Sequence, residues 1–83
     1  MKLERDAKGD FFIEPHLLAE RFTIQVDELR RRMRLGQVIS SVEDGQGGDS
    51  GRRRVSLRCG NMVWRAVLDA DHQVIAEETI RLK

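Results

Sequence analysis

Residues 52–68 constrain the fold more than any other stretch, because they form two apolar-alternating segments around Gly60-Asn61. A two-residue hairpin turn needs residues that tolerate positive φ, and Gly-Asn meets that need. A turn there creates three apolar cross-strand pairs on one face: Cys59 with Met62, Leu57 with Trp64, and Val55 with Ala66. Such pairs are the unit of sheet stabilisation, so the register is self-consistent and predicts Trp64 in the core.

The segments on either side extend this hairpin into a four-stranded meander. Residues 38–43 alternate with period two, and a last strand follows a turn at residues 69–73. Pairing Leu68 with Val74 then sets three further pairs: Ala66 with Ala76, Met62 with Ile80, and Arg65 with Glu77. This register leaves Glu78 on the apolar face with Trp64, so we expect a bulge there or an edge position from which the carboxylate reaches water.

The first thirteen residues predict a hairpin. Asp6 pairs with Asp10 across a three-residue loop in which Gly9 takes the left-handed position. One face of this hairpin then carries four residues: Leu3, Arg5, Phe11 and Ile13.

Two short helices follow the hairpin. Pro15 suits a first helical position, and the buried stripe of the first helix is Leu17, Leu18, Ala19 and Phe22. The helix breaks near Thr23-Ile24, and a second helix carries Val26, Leu29 and Met33 at helical spacing. Gly36 is placed to end it.

The sequence therefore predicts one α+β domain over residues 1–83, in the order β-β-α-α-β-β-β-β, with a flexible glycine-rich loop at residues 44–51. The helices are expected to cover the apolar face of the meander, which carries Val38, Val42, Val55, Leu57, Met62, Trp64 and Leu68. The other, open face is predicted to be mostly polar, with Glu43, Arg54, Ser56, Arg58, Arg65, Glu77, Thr79 and Arg81.

Charge and cysteine content indicate no particular partner. Fifteen basic against fourteen acidic residues leave a net charge of +1, too balanced to indicate nucleic acid or an anionic membrane. The single cysteine, Cys59, cannot form an internal disulfide, which fits a reducing compartment. No apolar run approaches the ~18 residues of a membrane span, and the charged start resembles no signal peptide. We expect a cytoplasmic protein that does not enter a membrane.

No catalytic or metal site is predicted. A nucleophilic site would have to combine Cys59 with His16 or His72, but Cys59 falls on the apolar face, where a thiol usually packs. Three scattered Cys and His residues do not make a zinc site, and His72 suits a left-handed loop position. The glycine-rich loop lacks the lysine-hydroxyl ending of a phosphate loop. We therefore expect neither enzymatic activity nor a cofactor.

The open face predicts a binding surface, since Val63 and Val67 flank Arg65 among polar side chains. Mixed composition of this kind is typical of protein interfaces. The residues assigned to this surface are Arg54, Arg58, Val63, Arg65 and Val67. The expected partner is another protein or a second copy, held through the face or through an edge strand.

An alternative hypothesis is DNA binding, because residues 15–36, which include the stretch LLAERFTIQVDELRRRMRLG, resemble a helix-turn-helix unit. Residues 37–59 resemble the wing of small excisionase-type regulators. The resemblance implies phosphate or base contacts by Arg30, Arg31, Arg34, Arg52, Arg53 and Arg54. Thr23 stands where that unit usually has glycine, and Asp44 and Asp49 at the wing tip would repel phosphates.

The whole pattern also resembles a family of small bacterial proteins that is known only as a domain of unknown function. The order is LLAE-x-F, EL-x-x-x-MR-x-G, a strand ISSVEDG, Gly-Arg at the next strand, Gly-Asn at the hairpin and a final D-x-D turn, from Arg5 to about Ile80. His72 stands where the family tends to have glycine. The resemblance supports the fold and implies no activity, cofactor or site residues.

Overall fold

A computed structural model describes residues 1–5, 11–45, 48 and 51–82. Six strands and two helices follow the predicted order: β1 (Glu4–Arg5), β2 (Phe11–Phe12), α1 (Pro15–Phe22), α2 (Val26–Arg34), β3 (Val38–Asp44), β4 (Arg53–Cys59), β5 (Met62–Leu68) and β6 (Val74–Arg81). Strands β1 and β2 form a small hairpin, and β3 to β6 form an antiparallel sheet in sequential order. The α+β class and the β-β-α-α-β-β-β-β order are confirmed.

The hairpin β4–β5 has the predicted register. Cys59 lies opposite Met62, Leu57 opposite Trp64 and Val55 opposite Ala66. Gly60 has φ +61°, a left-handed conformation that only glycine adopts without strain, as a two-residue turn requires. Trp64 is fully buried at the centre of this pairing.

The N-terminal hairpin also pairs as expected, with Arg5 opposite Phe11. Leu3, Phe11 and Ile13 are buried, whereas Arg5 lies outside with its guanidinium carbon 4.9 Å from the centre of the Phe11 ring. The predicted pair of Asp6 with Asp10 and the position of Gly9 lie outside the described residues. So does part of the glycine-rich loop, residues 46–47 and 49–50, while Asp44 belongs to β3.

The helices begin and end where the sequence indicates. Pro15 is the first residue of α1, and Thr23 ends it in a left-handed conformation with φ 58°. Gly36, with φ +71°, follows the end of α2. Helix α1 packs on α2 and on β5, and the only residue of α2 that is buried is Leu29.

The hydrophobic core lies between the helices and one face of the sheet. Its members are Leu3, Phe11, Ile13, Leu18, Ala19, Phe22, Leu29, Val55, Leu57, Cys59, Trp64, Ala66 and Leu68. Among the described residues no polar or charged side chain is buried. Coverage is incomplete at β3, where Val42 is 37% exposed although we predicted it under the helices.

The predicted register of β5 with β6 is wrong beyond its first pair. Leu68 faces Val74 as expected, but a bulge next to Val67/Leu68 shifts the rest by one residue. Ala66 therefore faces Glu77, Arg65 faces Glu78, and Val63 faces Ile80.

The bulge has a physical reason on the core side of the sheet. It brings the Glu77 carboxylate to the indole of Trp64, whose Nε1 donates to Glu77 Oε1 at 3.1 Å. The guanidinium of Arg21 on α1 donates to the same oxygen at 2.9 Å. Both hydrogen bonds, that from Arg21 foremost, hold the pKa of Glu77 below its ordinary value. A bulge of this kind inserts one residue and re-aims the side chains after it.

Candidate functional site

The open face of the sheet is the surface opposite the helices and the N-terminal hairpin. Because successive side chains of a strand point to opposite faces, the observed pairing assigns three residues of each strand to it. Its members are Ile39, Ser41, Glu43, Arg54, Ser56, Arg58, Val63, Arg65, Val67, Ala76, Glu78 and Ile80. Glu77, Thr79 and Arg81, which we predicted on this face, lie on the other side because of the bulge.

On the open face, side chains of opposite charge face each other across neighbouring strands. Arg54 lies opposite Glu43 across β3 and β4, and Arg65 lies opposite Glu78 across β5 and β6. Opposite charges at cross-strand positions attract and stabilise the pair of strands. Arg58 is exposed, and its Nε donates to the carbonyl oxygen of Gly60 at 3.1 Å, which turns the side chain towards the end of the hairpin.

Apolar side chains lie between these charged residues. Val67 is half-buried between Arg54 and Ala76, where it lines a shallow groove together with Arg65 and Glu78. Ile39 is 63% exposed at the β3 end of the face. The face therefore offers apolar surface close to charged side chains of both signs.

Val63 contributes less to the predicted binding surface than its position on the open face suggests. It lies on the open face between Arg58 and Ile80, but it is only 6% exposed and so offers almost no area to a partner. The binding surface that we predicted from the sequence did not include Ile39 and Ile80. The alternation of β3 already placed Ile39 on this face, whereas Ile80 reaches it only through the bulge.

The turn between α1 and α2 is the part of the structure on which the alternative hypothesis depends. Three residues separate α1 from α2, and the left-handed Thr23 donates its backbone N–H to the carbonyl oxygens of Ala19 and Glu20. Arg30 and Arg34 on α2 are exposed. A threonine therefore takes the backbone conformation for which we noted that glycine is usual.

The basic clusters of that hypothesis do not come together. Arg32 of α2 donates to the sulfur of Cys59 at 3.4 Å, so α2 lies near the last residue of β4. Arg53 is the first residue of that strand, about 20 Å away at ~3.3 Å per residue. Arg53 also contacts Asp44 at 3.1 Å, and Arg54 faces Glu43. Acidic neighbours reduce the positive potential that this end of the sheet would offer to a phosphate.

Glu28 binds two of the arginines on α2. Its carboxylate accepts from Arg31 Nη2 and from Arg32 Nε, each at 2.9 Å. These hydrogen bonds, that from Arg31 foremost, lower the pKa of Glu28 from 4.5 to about 2. The cluster neutralises part of the charge that the DNA hypothesis assigns to the helix.

We expect the carboxyl carbon of Glu28 to titrate with a pKa near 2 in an NMR pH series. Because the folded pKa lies below the unfolded one, the ion pair stabilises α2 fully above about pH 4.5. The contribution is lost as the pH falls through the folded pKa. Arg31→Gln should move the pKa of Glu28 back towards 4.5, because it removes the arginine whose hydrogen bonds lower that pKa most. A Glu28 titration near 4.5 in the unaltered chain would contradict this ion pairing.

The residues considered for catalysis or metal binding lie apart. Cys59 is buried beneath Arg32, His16 contacts Glu14 at 3.0 Å, and the His72 ring packs edge-on against Phe11. His72 has φ 65°, as its loop position predicted. Asp69 Oδ1 accepts the backbone N–H groups of Asp71 and Gln73, so this carboxylate organises the turn.

The described residues contain no cluster of three His, Cys, Asp or Glu side chains that could hold a metal ion. Within the same residues no helix is both long enough and apolar enough to cross a membrane.

Comparison with known proteins identifies the family and nothing narrower. Neither the curated proteins nor the solved structures contain a match to the chain. The sequence model of one family matches it from residue 1 to residue 83, over the strands and helices described above. The chain belongs to that family, which is described as a family of unknown function, DUF6522.

Proposed function

We propose that the protein is a non-catalytic interaction domain whose open face binds a protein partner or a second copy. The observation that carries this proposal is the side of the four-stranded sheet that no described helix or hairpin covers, on which Val67 and Ile39 lie among charged residues of both signs. The helices and the N-terminal hairpin pack on the opposite side, so the core is complete without this face.

The composition of the face supports a protein as the partner. Protein interfaces combine apolar contacts with polar groups and are enriched in arginine. Arg54, Arg58 and Arg65 supply guanidinium groups, and Glu43 and Glu78 restrict which partners fit by charge. The groove at Val67 would receive an apolar side chain of the partner.

DNA binding is the second candidate, and the left-handed turn at Thr23 favours it. Two observations favour binding through the open face over DNA binding. The basic clusters lie apart from each other, and each of them has acidic neighbours. The two proposals predict different residues: the open face for a protein partner, and Arg30 and Arg34 of α2 for DNA.

We expect a dilution series followed by NMR to separate them. Concentration-dependent amide shifts at Arg65 and Val67 would support self-binding through the open face. Mixed-sequence duplex DNA is then added at low salt. Salt-sensitive shifts confined to residues 26–34 and 52–54 would contradict the open face and support DNA binding, because phosphate contacts weaken steeply with salt.

Val67→Glu tests the open face directly, because it places a charge in the groove. Neither of the residues opposite Val67 on the neighbouring strands is acidic. It should remove the concentration-dependent shifts. Met33→Glu, on an exposed residue of α2, should leave them unchanged. Equal effects of the two substitutions would contradict a role for this face.

A further inference from the structure

The two edges of the sheet differ in how they are protected. The start of β6 is paired by the N-terminal residues: Val74 N–H donates to Met1 O at 2.7 Å, and Lys2 bridges Gln73. The same strand carries the bulge and Glu77, which Arg21 binds. Bulges, charges and covering segments are the devices by which natural sheets block edge pairing. Within the described residues, β3 is the last strand on the other side.

Strand β3 has none of these devices over most of its length. Residues 38–42 contain no charge, no proline and no bulge, and pair with β4 without interruption. Their exposed apolar side chains are Ile39, at 63% exposure, and Val42, at 37%. A seven-residue edge strand of this composition is a template for a further strand.

The sheet register shows which backbone groups of β3 face outwards. In a two-residue hairpin the closing pair, here Cys59 and Met62, exchanges both hydrogen bonds, and bonding then alternates along each strand. The residues of β4 that bond to β3 are consequently Arg54, Ser56 and Arg58. The bond from Gly45 N–H to Arg52 O at 2.8 Å continues the same alternation. Val38, Ser40 and Val42 therefore direct their N–H and C=O groups away from β4.

We propose that β3 pairs antiparallel with β3 of a second copy, with Ser40 opposite Ser40 on the two-fold axis. This register places Val38 of each copy opposite Val42 of the other. It also places Ile39 of each copy opposite Ser41 of the other. Three pairs of outward residues then exchange about six backbone hydrogen bonds. Two four-stranded sheets become one continuous sheet, and the contact lies along the edge of β3, two strands away from the groove at Val67 on β5.

Charge supports this register over its neighbour. With Ser40 on the axis, Glu43 and Asp44 lie opposite Gln37 and Gly36 of the other copy. These two residues follow the basic end of α2, which carries Arg34. Placing Ser41 on the axis instead sets Ile39 opposite Glu43 and Val38 opposite Asp44. That alternative buries acidic groups against apolar side chains, which costs free energy without a compensating hydrogen bond.

The first test measures self-association by sedimentation velocity over a dilution series. Val42→Lys should weaken the dimer about tenfold or more, because the change enters the interface twice and lysine blocks edge pairing. Ile75→Lys adds the same charge to an exposed apolar residue, at 48% exposure, on the opposite edge strand and should not weaken the dimer. A monomer throughout the series, or a dimer insensitive to Val42→Lys, would overturn the proposal.

The second test reads the register with single cysteines and oxidised glutathione. Ser40→Cys should form an interchain disulfide, since a hydrogen-bonded antiparallel pair has Cα atoms about 5.5 Å apart, within disulfide range. Ser41→Cys should not, and the natural Cys59 is only 2% exposed. Crosslinking through Ser41→Cys alone would overturn the proposed register. A dimer that Val67→Glu dissolves and that neither cysteine crosslinks would overturn the edge contact and leave the open-face proposal standing.

Discussion

Trp64→Ala is expected to lower the free energy of unfolding by about 3–5 kcal/mol, the usual cost of truncating a buried tryptophan. Trp64 is 0% exposed, and its indole N–H donates to Glu77 Oε1, so the change leaves a cavity and removes one of the two donors to that oxygen. A domain of 83 residues has a total stability of only about 4–12 kcal/mol. Urea denaturation followed by far-ultraviolet circular dichroism would measure the loss.

Trp64→Phe separates the two parts of that cost. Phenylalanine retains much of the ring volume but cannot donate to Glu77, so we expect a smaller loss of about 1–3 kcal/mol. This variant also gives a measurable transition if Trp64→Ala is unfolded in buffer. An unchanged urea midpoint in Trp64→Ala would contradict the packing of the core around this residue.

The β4–β5 hairpin could be predicted from sequence because local and long-range signals agree there. Gly60-Asn61 specifies a tight turn, and the first three residue pairs on one face after it, Cys59–Met62, Leu57–Trp64 and Val55–Ala66, are apolar with apolar. A shift of one residue would move all of those side chains to the other face. Few alternative registers survive such a constraint, and the structure has the one predicted.

The register of β6 could not be derived in the same way. Alternation shows that Glu78 misfits the apolar face, but it does not locate the inserted residue that corrects the misfit. That position depends on α1, since Arg21 and Trp64 together make a site for the carboxylate of Glu77. Residues 56 positions apart in the chain cannot be matched by a local pattern.

The open face was predicted in outline and corrected in detail. Strand alternation placed Arg54, Arg58, Arg65 and Val67 on it correctly. Exposure is a different quantity, because it depends on what the neighbouring side chains cover. Val63 is buried between its cross-strand neighbours Arg58 and Ile80, and the second of these neighbours follows from the bulge. Strand alternation thus predicts on which side of the sheet a side chain lies, but not how much of its area is accessible.

Leu29→Ala is expected to cost about 2–4 kcal/mol of unfolding free energy, in the range for truncation of a buried leucine. Leu29 is 0% exposed and is the one buried residue of α2, whose other side chains are partly or fully exposed. The helix is only nine residues long, too short to be stable in water without its packing. Amide hydrogen exchange should therefore accelerate along α2 more than along β4 and β5.

Met33→Ala is the matched control, since Met33 lies one turn further along the same helix and is 38% exposed. Its cost should be about 0.5 kcal/mol or less, as for most surface substitutions. If both variants lost similar stability, α2 would be held by the sum of its surface contacts rather than by Leu29. If Leu29→Ala alone released the helix, the orientation of Arg30 and Arg34 would depend on a single apolar contact. A DNA-binding role for those arginines would then be lost in this variant, while binding through the open face would persist wherever the sheet remained folded.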